Sequence, residues 1–250
     1  MVNNLSILII EDEQSLADTL KLKLSKEGFM VETVFDGKQG LERIKTLKPD
    51  LVLLDLLLPS MGGEEVLKKV KEDPEIKDIP VIVISNSGQP VEIKRLLENG
   101  VDDYIVKANF TIDDILERVY NTIEKRSGRP DVLIAEDEGF LRTVLAKKLR
   151  IDGLKVVTTL DGDNCLKTAL EIKPKVLVLD LLMPGLSGEE VLAALKKDTS
   201  FNLKETSIIV LSNYSGKENE PIIKEMTKGY FIKSNFDIDE IVDKVKSFVK

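Results

Sequence analysis

The sequence predicts an α/β protein of two similar domains, each with a parallel sheet covered on both faces, and three observations carry that prediction. Residues 51–67, LVLLDLLLPSMGGEEVL, return 125 positions later as VLVLDLLMPGLSGEEVL. Five short runs of Val, Ile and Leu alternate with helical patterns in each half. Strands this uniformly apolar are buried on both faces, as in parallel sheets. The 125-residue period exceeds the roughly 20 to 50 residues of a solenoid unit and falls in the usual domain range of about 100 to 150, so the repeat is a duplicated domain.

The elements follow in order. LSILII is the first strand, and the next stretch places Leu16, Leu20 and Leu24 at helical spacing. Gly28 then stands where a left-handed C-cap is wanted, as Gly153 does in the second half. MVETV, a helix, LVLLD after Pro49, a helix, PVIVIS, a helix and DYIVK come next, with a last helix from about Ile112 to Lys125. The second half repeats the order with VLIAED, LKVVTT, VLVLD after Pro174, SIIVLS and GYFIK, each followed by a helix. The expected domains are residues 1–126 and 131–250, joined by a short linker, SGRP, at 127–130.

Composition narrows the chemistry. Of the residues, 42% are hydrophobic and 32% charged, and no apolar run approaches the roughly 18 residues of a membrane span, so no membrane insertion is expected. The N-terminus has no basic segment before its first strand, so a secretory leader is not expected and the cytoplasm is the expected compartment. The net charge is −8, with the acid excess in the first half. No Lys/Arg-rich arm provides the electrostatic footprint of direct nucleic-acid binding. A single cysteine, Cys165, excludes an internal disulfide and reads as a small buried residue. There is no histidine, so His-based acid/base catalysis, His metal ligation and a phosphohistidine within this sequence are all excluded.

The remaining chemistry rests on Asp, Glu, Ser and Lys. In an open parallel sheet ligands bind beyond the carboxyl ends of the strands, and that is where the polar residues fall. Glu11 and Asp12 are expected to end the first strand, Asp55 the third, Ser85 the fourth and Lys107 the fifth; Glu136, Asp137, Asp180, Ser212 and Lys233 repeat the set. Three carboxylates in one cleft repel one another unless they share protons or hold a cation. All donors are oxygen, which suits a hard ion such as Mg²⁺. A carboxylate is also a nucleophile toward phosphoryl groups. Asp55 and Asp180 suit that role because each ends the most apolar strand of its half and precedes a loop, with Pro59 or Pro184 four residues on and Gly63 or Gly188 eight on. Lys107 and Lys233 would hold positive charge against the transferring group, and Ser85 and Ser212 would donate a hydrogen bond to it.

The motifs IIEDE, LLDLLLPSMGGEE, VISNS and DYIVK, with IAEDE, VLDLLMPGLSGEE, VLSNY and YFIKS in the second copy, resemble the receiver domain of two-component response regulators, of which the single-domain chemotaxis regulator is the simplest relative. The resemblance covers about residues 3–125 and 130–250. It implies two flavodoxin-like (βα)5 domains, each a doubly wound five-stranded parallel sheet of order 2-1-3-4-5. It makes Asp55 and Asp180 phosphoacceptors and Asp12 and Asp137 direct Mg²⁺ ligands. Glu11 and Glu136 would act on the ion mainly through water, and the backbone carbonyls of Leu57 and Leu182 would complete its shell. Ser85 with Tyr104, and Ser212 with Tyr230, become switch pairs. The sequence departs from the family at Ala108 and Ser234, where Pro is usual, so the following loop is expected to take a different path. It departs again at Asn86 and Asn213, where a small residue is usual.

These readings predict a tandem-receiver response regulator without an output domain, phosphorylated by a partner histidine kinase or histidine phosphotransfer protein and signalling through phosphorylation-controlled protein contacts. Its chemistry would be limited to accepting a phosphoryl group and losing it by hydrolysis. The copies differ two positions past the switch hydroxyl, at Ser87 and Tyr214, and Tyr214 is expected to shield the second aspartyl phosphate from water. The competing readings are a phosphate sink in a phosphorelay and a phosphorylation-independent scaffold, although a scaffold has no physical need for clustered carboxylates. A dehalogenase-like phosphatase would place a second Asp where Leu57 and Leu182 stand.

Overall fold

The computed structural model describes residues 5–86, 88–109, 111–235 and 237–249. The chain divides into two compact units between Ile123 and Glu124. In the first, β1 (Ser6–Ile10), β2 (Met30–Val34), β3 (Leu51–Asp55), β4 (Val81–Ser85) and β5 (Asp103–Val106) alternate with α1 (Gln14–Lys26), α2 (Gly37–Leu47), α3 (Gly63–Glu72), α4 (Pro90–Glu98) and α5 (Ile112–Arg126). The strands are all parallel in the order β2-β1-β3-β4-β5. The second has β6 (Val132–Ala135), β7 (Val156–Thr159), β8 (Val176–Asp180), β9 (Ser207–Ser212) and β10 (Thr227–Ile232), with α6 (Gly139–Ile151), α7 (Gly162–Ile172), α8 (Gly188–Lys197), α9 (Pro221–Met226) and α10 (Ile238–Val249). Its sheet runs β7-β6-β8-β9-β10, the same topology.

Alternating residues along each strand enter opposite cores, because successive Cβ atoms point to opposite faces. Ile7 and Ile9 pack with Leu20 and Leu24 of α1 and Ile115 and Val119 of α5. Leu8 and Ile10 pack on the other face with Ile44 of α2 and Val66 and Val70 of α3. The second domain divides in the same way, with Ile134 beside Leu145 and Val245, and Leu133 beside Ala169 and Leu192. Helix ends are set locally. Gly28 and Gly153 take φ of +96° and +85° just past α1 and α6, a region that favours glycine because it has no Cβ. Among the described residues no helix is long and apolar enough to cross a membrane.

Two features bear directly on the strand ends. Glu11, Asp12, Glu136 and Asp137 lie just beyond β1 and β6, which close at Ile10 and Ala135, and Lys107 and Lys233 lie just beyond β5 and β10. The strands therefore stop one or two residues short of the expected polar ends, which leaves these side chains on the rim. The second feature is a difference between the copies. Pro90 and Lys107 bracket the nine-residue α4, a connection and β5, whereas α9 has six residues and passes straight into β10 at Thr227. The pairing of β10 with β9 shifts register between Thr227 and Gly229.

The first turn of α3 is wedged against the end of β3. A Cβ built on Gly63 would lie 2.0 Å from the Asp55 carbonyl oxygen, and one on Gly188 would lie 2.4 Å from that of Asp180. Gly63 N–H also donates to Leu56 O at 2.9 Å, and Gly188 N–H to Leu181 O at 3.0 Å. Gly63→Ala should therefore push the Asp55 strand end out of place and destabilise the first domain by about 1–3 kcal/mol, as overpacking does; an unchanged urea midpoint would contradict this close fit.

Candidate functional site

Sheet order dictates the assembly of the pocket. β1 and β3 are neighbours, so Glu11 and Asp55 emerge side by side, while Lys107 reaches them from beyond β5, two strands away from β3. Its Nζ donates to Glu11 Oε1 at 2.8 Å and to Asp55 Oδ2 at 2.7 Å. Lys233 Nζ makes the same pair in the second domain, 2.6 Å to Glu136 Oε1 and 2.7 Å to Asp180 Oδ2. The remaining oxygen of each aspartate is engaged as well: Leu57 N–H donates to Asp55 Oδ1 and Leu182 N–H to Asp180 Oδ1, both at 3.0 Å. Asp55 and Asp180 are 3% and 1% exposed, while Asp12 and Asp137 face solvent.

Each cluster offers one oxygen from each of its three carboxylates, all within 4.8 Å of one another. The buried Glu11 Oε2 and Glu136 Oε2 have no hydrogen-bond partner. A buried carboxylate oxygen without a partner is costly, and its position in an all-oxygen cluster fits a hard divalent cation. Electrostatics agree with the geometry. Burial pushes Glu11 and Glu136 up to about 7 against the opposing pull of Lys107 and Lys233. The neighbouring Asp55 and Asp180 charges push in the same direction as burial. For Lys107 and Lys233 burial works against the charge, but the hydrogen bonds to aspartate and glutamate outweigh it and hold both ammonium groups above the usual lysine value.

The hydroxyls also reach the rim. Ser85 and Ser212 end β4 and β9 and are buried. Ser212 Oγ accepts from Tyr214 N–H at 3.0 Å, and Tyr230 OH donates to Tyr214 O at 2.6 Å. Tyr104 is buried, whereas Tyr230 is half-buried beside the shorter α9. The Tyr214 side chain is exposed, and its expected counterpart Ser87 lies outside the described residues. At the two positions where the family usually has Pro, Ala108 lies in a 3₁₀ turn, Lys107–Asn109, and Ser234 enters a turn closed by Asn235 N–H on Ile232 O.

A buried charge beneath the second acidic loop was not singled out from the sequence. Arg142 of α6 is 4% exposed and donates through Nη1 to Glu136 O at 2.9 Å and Asp137 O at 3.2 Å. A legible signal existed, since Arg142 falls on the buried stripe formed by Leu141, Leu145, Ala146 and Leu149.

Fold and site together define a doubly wound α/β protein with two acidic, lysine-closed pockets at the carboxyl ends of its sheets. The response regulator receiver domain profile matches residues 7–120 and again 132–246. Response regulator ArlR of Staphylococcus aureus is 33% identical over 73% of this chain and 80% of its own length. Among solved structures, the receiver domain of Francisella response regulator 1452 is 28% identical, covering 49% of this chain and 99% of its own, with a TM-score of 0.46. The receiver domain of a Syntrophus aciditrophicus signal transduction histidine kinase is 31% identical, covering 47% and 89%, with a TM-score of 0.44. The chain belongs to the response regulator receiver family, and carries the domain twice. Receivers of this family take a phosphoryl group on an aspartate in two-component signalling, generally bind Mg²⁺ at an acidic cluster, and interact with histidine kinases or phosphotransfer proteins.

The glutamates give the apo protein a pH signature. The folded chain holds the Glu11 and Glu136 protons more tightly than the unfolded chain, whose ordinary value is 4.5, so their contribution to folding is complete below about 4.5 and is lost as pH rises through about 7. In EDTA the melting temperature should accordingly fall from about pH 5.5 to about pH 8, and Mg²⁺ should restore most of the loss at the higher pH. A fall of equal size with Mg²⁺ present would contradict the cation reading.

Proposed function

We propose that this chain is a tandem receiver, with domains at residues 1–126 and 131–250, that accepts phosphoryl groups on Asp55 and Asp180. The observation that carries the reading is the lysine contact made twice: an ammonium 2.7 Å from one carboxylate oxygen of each aspartate, with the other oxygen held by a backbone N–H two residues on. In the forward step an aspartate oxygen attacks phosphorus, the P–N bond of a partner's phosphohistidine breaks, and the departing imidazole takes a proton. Hydrolysis reverses the aspartate's part, as water oxygen bonds to phosphorus and the acyl phosphate P–O bond breaks. The sequence has no histidine, so the donor histidine lies outside it, on a histidine kinase or histidine phosphotransfer protein.

Mg²⁺ would be held by Glu11, Asp12, Asp55 and the Leu57 carbonyl, and by Glu136, Asp137, Asp180 and the Leu182 carbonyl. When bound it supplies charge neutralisation at the transferring phosphoryl group. Lys107 and Lys233 bring a second, fixed positive charge to the same oxygens, and Ser85 and Ser212 a hydrogen-bond donor. Output follows from changed protein contacts, with Ser85 and Tyr104, and Ser212 and Tyr230, as the groups that move.

Labelling with ³²P-phosphoramidate in the presence of Mg²⁺ should give two hydroxylamine-sensitive acyl phosphates. Asp55→Asn and Asp180→Asn should each remove one and the double variant both; label surviving in the double variant would place the acceptors elsewhere. Because the exposed Tyr214 ring stands two residues from the Ser212 hydroxyl, it is a shield for the second phosphate. In an Asp55→Asn background, Tyr214→Ser should shorten the half-life of the remaining label several-fold, and an equal or longer half-life would rule the shield out.

A further inference from the structure

The two acidic loops are alike in their carboxylates and unlike in what lies beneath them. α1 and α6 are both 13 residues long and correspond at the 125-residue offset, which sets Arg142 against Ala17. Ala17 is wholly buried and has no donor to offer. In the first domain, besides Lys107 on Glu11, this loop carries Glu13 N–H to Glu11 Oε1 at 3.3 Å and Ser15 Oγ to Glu13 Oε1 at 2.8 Å. The second domain keeps the first of these, as Glu138 N–H to Glu136 Oε1 at 3.1 Å, and adds the Arg142 guanidinium across the Glu136 and Asp137 carbonyls.

We propose that Arg142 is a positioning residue for the divalent-cation pocket of the second domain, while the first domain, with Ala17 in its place, leaves the same loop to be ordered by the cation itself. The inference rests on the reading of both clusters as cation sites. Those two carbonyls belong to consecutive peptide planes, and those planes aim the Glu136 and Asp137 carboxylates. Both bonds come from Nη1, whose two hydrogens are fixed in the guanidinium plane, so one buried side chain restrains both planes before any ion arrives. Groups that orient ligands in this way raise metal affinity although they never touch the metal.

A positive charge near a cation pocket also opposes the ion, so the two effects of Arg142 carry opposite signs. The hydrogen bonds decide between them. The two Nη1 bonds run to main-chain oxygens of the loop, and Lys233 is the ammonium that bonds Glu136 Oε1 and Asp180 Oδ2. Orientation dominates, and loss of Arg142 weakens the second pocket. The two receivers then answer the same Mg²⁺ concentration differently: the second is preformed, and the first acquires its order on binding.

The test is a Mg²⁺ titration of the full ¹⁵N-labelled chain, following amides at residues 11–14 and 136–139 separately. Arg142→Met keeps an apolar stem and removes the donors; it should weaken Mg²⁺ at the second pocket about tenfold, in the range seen for ligand-orienting groups, with the first pocket unchanged in the same molecule. Arg142→Lys, with one ammionium able to reach a carbonyl, should fall between Met and the unaltered chain. Unchanged or tighter binding at the second pocket of Arg142→Met overturns the assignment. A second readout needs no substitution: in hydrogen exchange Mg²⁺ should protect residues 11–14 more than 136–139, and equal or reversed protection overturns it too. Failure of the unaltered chain to bind Mg²⁺ at either pocket would instead remove the cation reading on which the inference stands.

Discussion

A single lysine ammonium shared between a buried glutamate and a buried aspartate organises each domain. The contact joins residues 96 and 52 positions apart in the first copy and 97 and 53 apart in the second. It is possible only because the sheet brings the ends of β1, β3 and β5 to one rim, with β4 and its terminal serine between the lysine and its partners. Three carboxylates against one ammonium leave each cluster short of positive charge. Burial and mutual repulsion respond by raising the glutamate, and the unpartnered glutamate oxygen marks where more positive charge is wanted. The pocket is therefore poised between proton and metal, with the aspartate held by Lys and backbone in a fixed attitude.

The rest of the fold holds this arrangement still. Strand residues behind the pocket are fully buried on both faces, and the first turns of α3 and α8 approach so closely that only glycine fits against the aspartate's own peptide. Divergence between the copies accumulates around this centre rather than in it. The lysine contacts agree to within 0.2 Å, while α9 is cut to six residues, Tyr230 loses cover, and Arg142 appears beneath the acidic loop. On the proposed reading, duplicated pockets with different supports would give one chain two sites with separate thresholds.

Most of the pocket was legible because its residues sit at strand ends, and strand ends are marked by the switch from Val, Ile and Leu to Asp, Ser or Lys. Repetition turned a set of individually weak signals into one strong one. The topology came from resemblance, since alternating strands and helices fix neither strand order nor the switch point. What escaped depended on tertiary cover. The spacing from Pro221 to Lys233 is visibly short, but nothing local says that β10 would begin at Thr227, ahead of GYFIK, and leave Tyr230 half-exposed. Arg142 escaped for a different reason: a lone basic residue on an apolar stripe reads as a snorkelling side chain until the carbonyls that receive it are located.

The most direct measurement is a crystal structure of the full chain grown with Mg²⁺ and beryllofluoride, a mimic of the phosphoryl group. The account predicts density bonded to an oxygen of both Asp55 and Asp180, a cation between each adduct and its two neighbouring acidic side chains, and Lys107 and Lys233 turned toward the adducts. Unmodified aspartates in both domains, with the lysines still bridging glutamate and aspartate and no cation bound, would contradict it.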